Sequence, residues 1–176
     1  MENTFIFSEI GDEISIDLLE QVWDRHYSKN PFKIGHNTSC ILEPHFDTND
    51  VKNMIDTSVK ILNENGLKVS EQKKLNIELH NYYTNGPTVE SDFERHCDDD
   101  APIDVPCVTI IYYLEKSPTL IGGNLLVYPN KNDDNETICE VKTGTMIMLH
   151  GTTDHEIEPI EGTGSRRCIV IQVSRA

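Results

Sequence analysis

Apolar residues recur at helical spacing in two segments of the first half of the chain. The first segment runs from Ile14 to His26 and the second from Val51 to Asn63. This spacing predicts two amphipathic helices. Residues that commonly end or cap helices frame both segments: Pro31 and Gly35 after the first, Thr48, Asn49 or Asp50 before the second, and Gly66 after it.

From residue 75 onward the pattern takes the period of a strand. Leu75, Ile77 and Leu79 alternate with polar or aromatic neighbours as far as Tyr82. Five further strand-like segments follow, separated by clusters of Gly, Pro, Asn and Asp: Val105 to Leu114, Leu125 to Tyr128, Thr137 to Val141, Thr145 to His150 and Cys168 to Val173. The pattern therefore predicts a mainly β fold with N-terminal helices, a β-sandwich or jelly roll backed by helices. The polar stretch from Asn130 to Asn135 is expected to be a hairpin tip.

The length favours one domain over residues 1–176. Within it, residues 1–74 are expected to form a mainly helical support region and residues 75–176 the jelly-roll core. Fifteen basic and thirty acidic residues give a formal net charge of −15. This charge argues against nucleic acid and acidic membrane surfaces as partners. The acidic clusters, such as Asp98 to Asp100, are expected to be largely solvated.

The targeting and cysteine patterns point to a cytoplasmic protein. The first ten residues carry no basic start typical of a signal peptide, and no apolar run approaches the ~20 residues that span a bilayer. The five cysteines are odd in number and contain no CxxC pair. We therefore expect free thiols in a reducing compartment.

Candidate chemistry begins at His96-Cys97-Asp98. In an extended segment, residues i and i+2 point to one face, so His96 and Asp98 can reach one ion while Cys97 points away. A lone HxD pair is common by chance, and the chain contains a second one at His45 and Asp47. That second copy precedes a predicted helix, and no glycine pair or paired tyrosine follows it at a suitable distance. We interpret it as structural.

A third ligand is expected from a distant strand, and His155 begins a short extended piece after the strand Thr145 to His150. Two imidazoles and one carboxylate suit iron(II) better than zinc and leave coordination positions open for oxygen and an organic acid.

An arginine in the last strand is the candidate for binding that acid. A guanidinium forms two parallel hydrogen bonds with a carboxylate. Arg166 and Arg167 lie on opposite faces of the strand, and alternation does not say which one points inward. In the same way, one ring of Tyr112-Tyr113 should pack in the core while the other offers its hydroxyl to the acid.

These motifs together resemble a known family. The run PCVTIIYYLEKSPTLIGGNLLVYP (residues 106–129), downstream of the HxD pair, is similar to the core of the prolyl-hydroxylase branch of the iron(II)- and 2-oxoglutarate-dependent dioxygenases. The run HEIEPIEGTGSRRCIVI (residues 155–171) resembles that family's second ligand histidine and its 2-oxoglutarate arginine. The similarity covers about residues 75–176 and is closest to hypoxia-factor-type prolyl hydroxylases and their small microbial relatives. It implies a double-stranded β-helix (jelly-roll) core.

The resemblance implies a role for each matching residue. His96, Asp98 and His155 would ligate iron. Arg166 would bind the C5 carboxylate of 2-oxoglutarate, with Arg167 as the fallback. Three further residues would complete the cosubstrate site: Tyr113 as a hydrogen-bond partner of that carboxylate, Tyr83 as a tyrosine at the entrance, and Leu125 as a pocket wall.

The activity implied is hydroxylation of a prolyl residue in a peptide or protein, with O2 consumed, succinate and CO2 released, and ascorbate as a reductant. The substrate side departs from the family, because Gln172 stands where hypoxia-type enzymes carry an aromatic residue and two loops are longer. A hydroxylase of a free amino acid or other small molecule is the first alternative, to be distinguished by whether Thr84 to Glu94 forms an open groove or a lid. A non-catalytic jelly-roll binding module is the alternative of another class.

Overall fold

A computed structural model describes residues 5–27, 31–34, 37–43, 46–89, 94–100, 105–129 and 135–176. Four predicted features lie wholly or partly outside these residues. They are Gly35 after the first predicted helix, His45 of the second HxD pair, most of the expected hairpin tip at 130–135, and residues 90–93 of the segment expected to distinguish a groove from a lid.

Both predicted helices are present. Helix α1 spans Ile16–His26, and the Ser15 hydroxyl caps it by accepting a hydrogen bond of 3.1 Å from the backbone N–H of Leu18. Helix α2 spans Asn49–Glu64. Its N-cap is Thr48, one of the three residues predicted for that position. Among the described helices, none has the length and apolar character needed to cross a bilayer.

Eleven strands, paired antiparallel throughout, make up the described sheets: β1 Phe5–Glu9, β2 Pro31–Ile34, β3 Asn37–Ile41, β4 Leu75–Val89, β5 Cys107–Lys116, β6 Leu120–Gly122, β7 Leu125–Tyr128, β8 Thr137–Cys139, β9 Thr145–His150, β10 Asp154–Ile157 and β11 Ile160–Ser174. The main sheet has the order β1-β9-β5-β11-β4-β3-β2, with β6 beside β11. The minor sheet has the order β10-β7-β8. The predicted mainly β, jelly-roll architecture is confirmed.

The N-terminal region contributes more than helices. Strand β1 pairs with β9, and the hairpin β2–β3 joins the opposite edge of the main sheet through β4. Pro31 is the first residue of this hairpin, whereas the sequence pattern predicted only that it follows the end of a helix. Turn residues mark hairpins and helix ends alike, so local composition could not distinguish the two.

The two faces of the main sheet have different partners. One face packs on the helices through a buried cluster that includes Leu19, Val22, Trp23, Met54 and Leu62 of α1 and α2 and Ile77, Leu79, Ile110, Tyr112, Ile169 and Ile171 of the sheet. On the other face, the minor sheet covers Ile111, Tyr113, Ile147, Leu149 and Cys168 with Leu125, Val127 and Cys139. We call the first the helix face and the second the inner face.

Candidate active site

Three side chains with metal-ligating atoms converge beside the inner face. One nitrogen each from His96 and His155 and one carboxylate oxygen of Asp98 all lie within 4.8 Å of one another. The two imidazole centroids are 4.5 Å apart, and Nε2 of His155 lies 3.9 Å from Oδ1 of Asp98. Asp98 and His155 are buried, whereas His96 is exposed. The structure thus brings together the three residues expected from sequence.

The backbones of the two histidines are hydrogen-bonded to each other. The N–H of His96 donates to the carbonyl of His155 at 3.0 Å, and the N–H of His155 donates to the carbonyl of His96 at 2.8 Å. On its other edge, His155 pairs with Val127 of β7 in the minor sheet. The two candidate ligands are therefore linked through a short antiparallel bridge between their backbones.

Hydrogen bonds to backbone carbonyls determine which imidazole nitrogen can ligate. Nδ1 of His96 lies 2.7 Å from the carbonyl oxygen of Glu94, and Nδ1 of His155 lies 2.9 Å from that of Thr153. A carbonyl only accepts, so each Nδ1 carries the proton, and Nε2 is the nitrogen of each ring that can ligate a metal. Burial lowers the pKa of His155, which favours the neutral ring that a metal requires.

Asp98 is positioned by its neighbours in sequence and space. The Thr109 hydroxyl on β5 donates to Oδ2 of Asp98. Asp99, expected to be solvated, instead fastens the ligand loop: its Oδ1 accepts from the N–H of Cys107 at 2.8 Å, and its N–H donates to the carbonyl of Gly151 at 2.9 Å. The sequence does not reveal this role, because consecutive aspartates can be distinguished only once their contacts with the neighbouring strand are known.

Arg166 lies on the inner face and is 2% exposed. Its Nη2 donates to the hydroxyl of Tyr113 at 3.0 Å, and its guanidinium carbon lies 4.7 Å from the centroid of that ring. Its Nε is buried without a hydrogen-bond partner, and no carboxylate of the described residues pairs with it. A buried cation without a counter-ion is costly, so this arrangement suits an anionic ligand. Burial also raises the pKa of Tyr113, whose hydroxyl therefore keeps a proton to donate.

Arg167 lies on the helix face. Its Nε donates to Glu115 at 2.6 Å, its two Nη atoms donate to Glu20 of α1 at 3.2 Å each, and its guanidinium lies over the Trp23 ring. These contacts connect Arg167 to Glu115 of β5 and to Glu20 and Trp23 of α1. Arg166, and not Arg167, is therefore the arginine that points to the inner face.

The paired tyrosines divide in the same way. Tyr112 lies on the helix face, with its hydroxyl 2.9 Å from that of Ser58 in α2, and Tyr113 lies on the inner face. Leu125 is buried in the same cluster as Tyr113. Gly122 and Gly123 have φ values of +73° and +67°, and a Cβ on Gly122 would lie 2.1 Å from the carbonyl oxygen of Pro159. The glycine pair therefore permits the close passage of the chain leading to Leu125.

The position of Tyr83 requires a correction. Tyr83 pairs with Ser165, one residue out of phase with Arg166, so its side chain points away from the inner face; it is 53% exposed. The tyrosine that pairs with Arg166 is Tyr82, which is 1% exposed. The alternation along β4 already contained this signal, since Tyr83 has the parity of Ile77 and Leu79 on the helix face.

Comparison with known proteins identifies the class. Residues 77–173, more than half of the chain, match the model of the 2OG-Fe(II) oxygenase superfamily. The chain therefore belongs to that superfamily, whose enzymes use Fe(II) and 2-oxoglutarate, and His96, Asp98 and His155 are residues that could bind the iron. A search of curated protein sequences finds no match.

Solved structures share the fold at low identity. An oxidoreductase of the 2OG-Fe(II) oxygenase family from Burkholderia pseudomallei has a TM-score of 0.76 at 12% identity, over 99% of this chain and 86% of that one. A prolyl hydroxylase from Trichoplax adhaerens, in complex with a peptide fragment of the hypoxia inducible factor oxygen degradation domain, has a TM-score of 0.65 at 16% identity, over 99% and 84%. A non-haem alpha-ketoglutarate-dependent epimerase from nogalamycin biosynthesis has a TM-score of 0.67 at 11% identity, over 99% and 78%.

Proposed function

We propose that this protein is a 2-oxoglutarate-dependent hydroxylase acting on a prolyl residue in a peptide or protein. The observation that carries the proposal is the pairing of two features beside one face of the sheet. Three candidate ligands converge at one place, and a buried arginine that pairs with no carboxylate of the described residues lies further along the same face. A bidentate organic acid with a second, distal carboxylate would have a partner at each of its ends.

Each residue has a role in this proposal. His96, Asp98 and His155 hold Fe(II), which together with 2-oxoglutarate supplies the oxidising chemistry when bound. Arg166 and the protonated hydroxyl of Tyr113 bind the distal carboxylate of 2-oxoglutarate. Leu125 contributes to the apolar wall that keeps water from that end of the pocket. Residues 1–176 act as one domain, with the N-terminal residues supporting the sheet from its helix face and its edges.

The prolyl substrate is supported by the sequence resemblance and by the peptide complex of the Trichoplax neighbour. A hydroxylase of a free amino acid or other small molecule is the second candidate. It is favoured by Gln172, a polar residue on the inner face, and by the epimerase among the structural neighbours.

The test combines the protein with iron(II), ascorbate and 2-oxoglutarate and measures succinate. Acetyl-capped proline peptides and free amino acids are added in separate arms, and products are examined by mass spectrometry for the gain of one oxygen. We expect succinate production that a proline peptide stimulates, and none from Asp98→Ala. Stimulation by free amino acids alone would favour the small-molecule reading. Absence of succinate together with absence of 2-oxoglutarate binding would favour the non-catalytic module.

A further inference from the structure

A polar strip lies on the inner face of the main sheet, on the strand next to β11. We define this strip as Asn76, Glu78 and His80 of β4 together with Gln172 of β11. Asn76 is in register with Gln172, and the two positions therefore share a face. The minor sheet packs on β5, β9 and β11, and its cluster contains none of the strip residues. Side chains of Glu78 and His80 remain 20% and 13% exposed.

The strip is connected by hydrogen bonds. Nε2 of His80 lies 3.0 Å from Oε2 of Glu78. Nδ2 of Asn76 donates to Oε1 of Glu78 at 2.9 Å and to Oε1 of Gln172 at 3.0 Å. Ser39 of β3 extends the chain of contacts, with its hydroxyl 2.7 Å from Nδ1 of His80.

The carboxylate determines how both amides are oriented. Burial alone would raise the pKa of Glu78, but the hydrogen bond and charge of His80 and the hydrogen bond from Asn76 hold it below its usual value. Ionised Glu78 only accepts hydrogen bonds, so Asn76 must present its NH2 group to it. That group also faces Gln172, which must therefore present its oxygen to Asn76. The NH2 group of Gln172 is left without an acceptor among the described residues.

Gln172 also lies close to the metal ligands. Its other register partner is Thr109 of β5, and the hydroxyl of Thr109 donates to Asp98. A continuous row thus runs from Asp98 through Thr109, Gln172 and Asn76 to Glu78. Gln172 is 6% exposed as a whole, so a ligand that meets its amide does so in a largely desolvated surrounding, where a hydrogen bond discriminates strongly between ligands.

We propose that Gln172 determines substrate specificity, with its amide N–H groups donating to a carbonyl or carboxylate oxygen of the substrate beside the metal, and with Asn76 and Glu78 as positioning residues. This inference rests on the proposed function. The ligand it selects is an acceptor-bearing molecule, either a peptide with a backbone carbonyl near the hydroxylated carbon or a free acid. It disfavours substrates that would place a purely apolar group at this position.

The binding test uses the protein loaded with Zn(II), a diamagnetic substitute for iron, and N-oxalylglycine, an analogue of 2-oxoglutarate that is not decarboxylated. N-acetyl-L-prolinamide and L-proline are titrated separately, and the side-chain amide resonances are followed by NMR. The Gln172 resonances are those missing from Gln172→Leu. We expect one probe to shift them. Binding of a probe without such a shift, or binding of neither probe, overturns the inference.

Variants test the donor role directly. Gln172→Leu should lower the affinity for the bound probe about tenfold, as expected for an acceptor left unpaired in a desolvated site. The affinity for N-oxalylglycine should stay unchanged. Asn76→Leu, which removes the positioning contact, should lower the affinity for the probe by a smaller factor. Gln21→Leu, on the exposed side of α1, is the matched control and should change nothing. Equal probe affinities in wild type and Gln172→Leu would contradict the proposal.

Gln172→Glu identifies the acceptor. If the acceptor on the probe is an uncharged carbonyl, this variant should lose about as much affinity for the probe as Gln172→Leu. If the acceptor is a carboxylate, the loss of affinity should be clearly larger. A failure of the proposed function would look different, because the wild-type protein would then bind no N-oxalylglycine in the presence of Zn(II).

Discussion

Arg166 and Arg167 are adjacent in sequence, carry the same charge and have unrelated surroundings. Among the residues that the structure describes, Arg166 donates only to the hydroxyl of Tyr113, whereas Arg167 is neutralised by Glu115 and Glu20. Alternation along a strand guaranteed that they would face opposite sides. It could not say which side carried the site, because that depends on where α1 docks.

The first prediction separates the two arginines. Arg166→Ala should raise the Kd for N-oxalylglycine by at least about 30-fold, since truncating one partner of a buried charge pair costs roughly 2–5 kcal/mol. Calorimetric titration in the presence of Zn(II) measures the change. Arg167→Ala is the matched control: its Kd should stay within about twofold of wild type, while its melting temperature falls because α1 loses its contacts with Arg167 of β11. The reverse result would assign the cosubstrate to Arg167.

Gly151 illustrates how a residue without a side chain contributes to the site. A Cβ added there would lie 2.1 Å from Oδ1 of Asp99 and 2.7 Å from Sγ of Cys107. Those atoms belong to the loop that carries Asp98 and to the strand that supports it, so neither can move without disturbing the ligand.

The second prediction concerns this contact. Gly151→Ala should weaken Zn(II) binding about tenfold or more, because it displaces Asp99 and with it Asp98 from the ligand geometry. Competition with a chromophoric chelator measures the affinity. Gly11→Ala is a suitable control, since an added Cβ there meets only the flexible Glu13 side chain. Unchanged affinity in Gly151→Ala would show that the Asp99 contact does not position the ligand.

At the scale of elements, the two helices are joined by a buried acid. Oδ2 of Asp50, near the start of α2, lies 3.3 Å from Nε2 of His26 and 3.1 Å from Nη1 of Arg25, both at the end of α1. Burial would raise the pKa of Asp50. Hydrogen bonds from Thr48 and the backbone, together with the charges of Arg25 and His26, hold it below its ordinary value.

The third prediction follows from the direction of this pKa shift. A carboxyl group with a depressed pKa in the folded state stabilises the fold above its unfolded pKa and loses that contribution as the pH falls through the folded value. Asp50→Asn should therefore lower the free energy of unfolding by about 1–3 kcal/mol at neutral pH. The difference from wild type should shrink below the ordinary value of 3.8. Urea unfolding of wild type and Asp50→Asn at neutral pH and at a pH below that value measures the two free energies. A difference between the two proteins that does not change with pH would contradict the prediction.

The pattern of apolar and polar residues predicted the elements that are defined by their own segment of sequence. Helices α1 and α2 and strands β5, β7 and β9 were found close to their expected limits, because caps and alternation leave a mark in their own sequence. Strands β1, β2, β3 and β6 were missed. They are short, and β1 pairs with β9 some 140 residues away in sequence, so what defines it is a tertiary contact. The three candidate ligands were found together because the order of their residue types was informative. The role of Asp99 could not be found this way, because it depends on contacts with Cys107 and Gly151.

At the scale of the whole molecule, the proposed function divides stability and binding between the two faces of one sheet. The helix face contains most of the large buried apolar residues, and the inner face contains the ligands, Arg166 and Gln172. Substitutions on the helix face should therefore act mainly on the melting temperature, and those on the inner face mainly on affinity.

The fourth prediction concerns the stabilisation of the whole fold by ligand binding. A ligand at about 100 times its Kd stabilises a protein by roughly 2.7 kcal/mol. For a chain of this size that corresponds to a rise in melting temperature of several degrees. Zn(II) and N-oxalylglycine together should produce such a rise in a thermal-shift measurement. His155→Ala should lose the part due to the metal, and a rise of the same size in that variant would argue against His155 as a ligand.

The hydrogen-bonded bridge between His96 and His155 has one further consequence. Because each histidine donates to and accepts from the backbone of the other, a displacement of one segment carries the other with it. The separation of the two imidazoles should therefore tolerate sequence changes in the surrounding loops better than that of two side chains on unconnected segments.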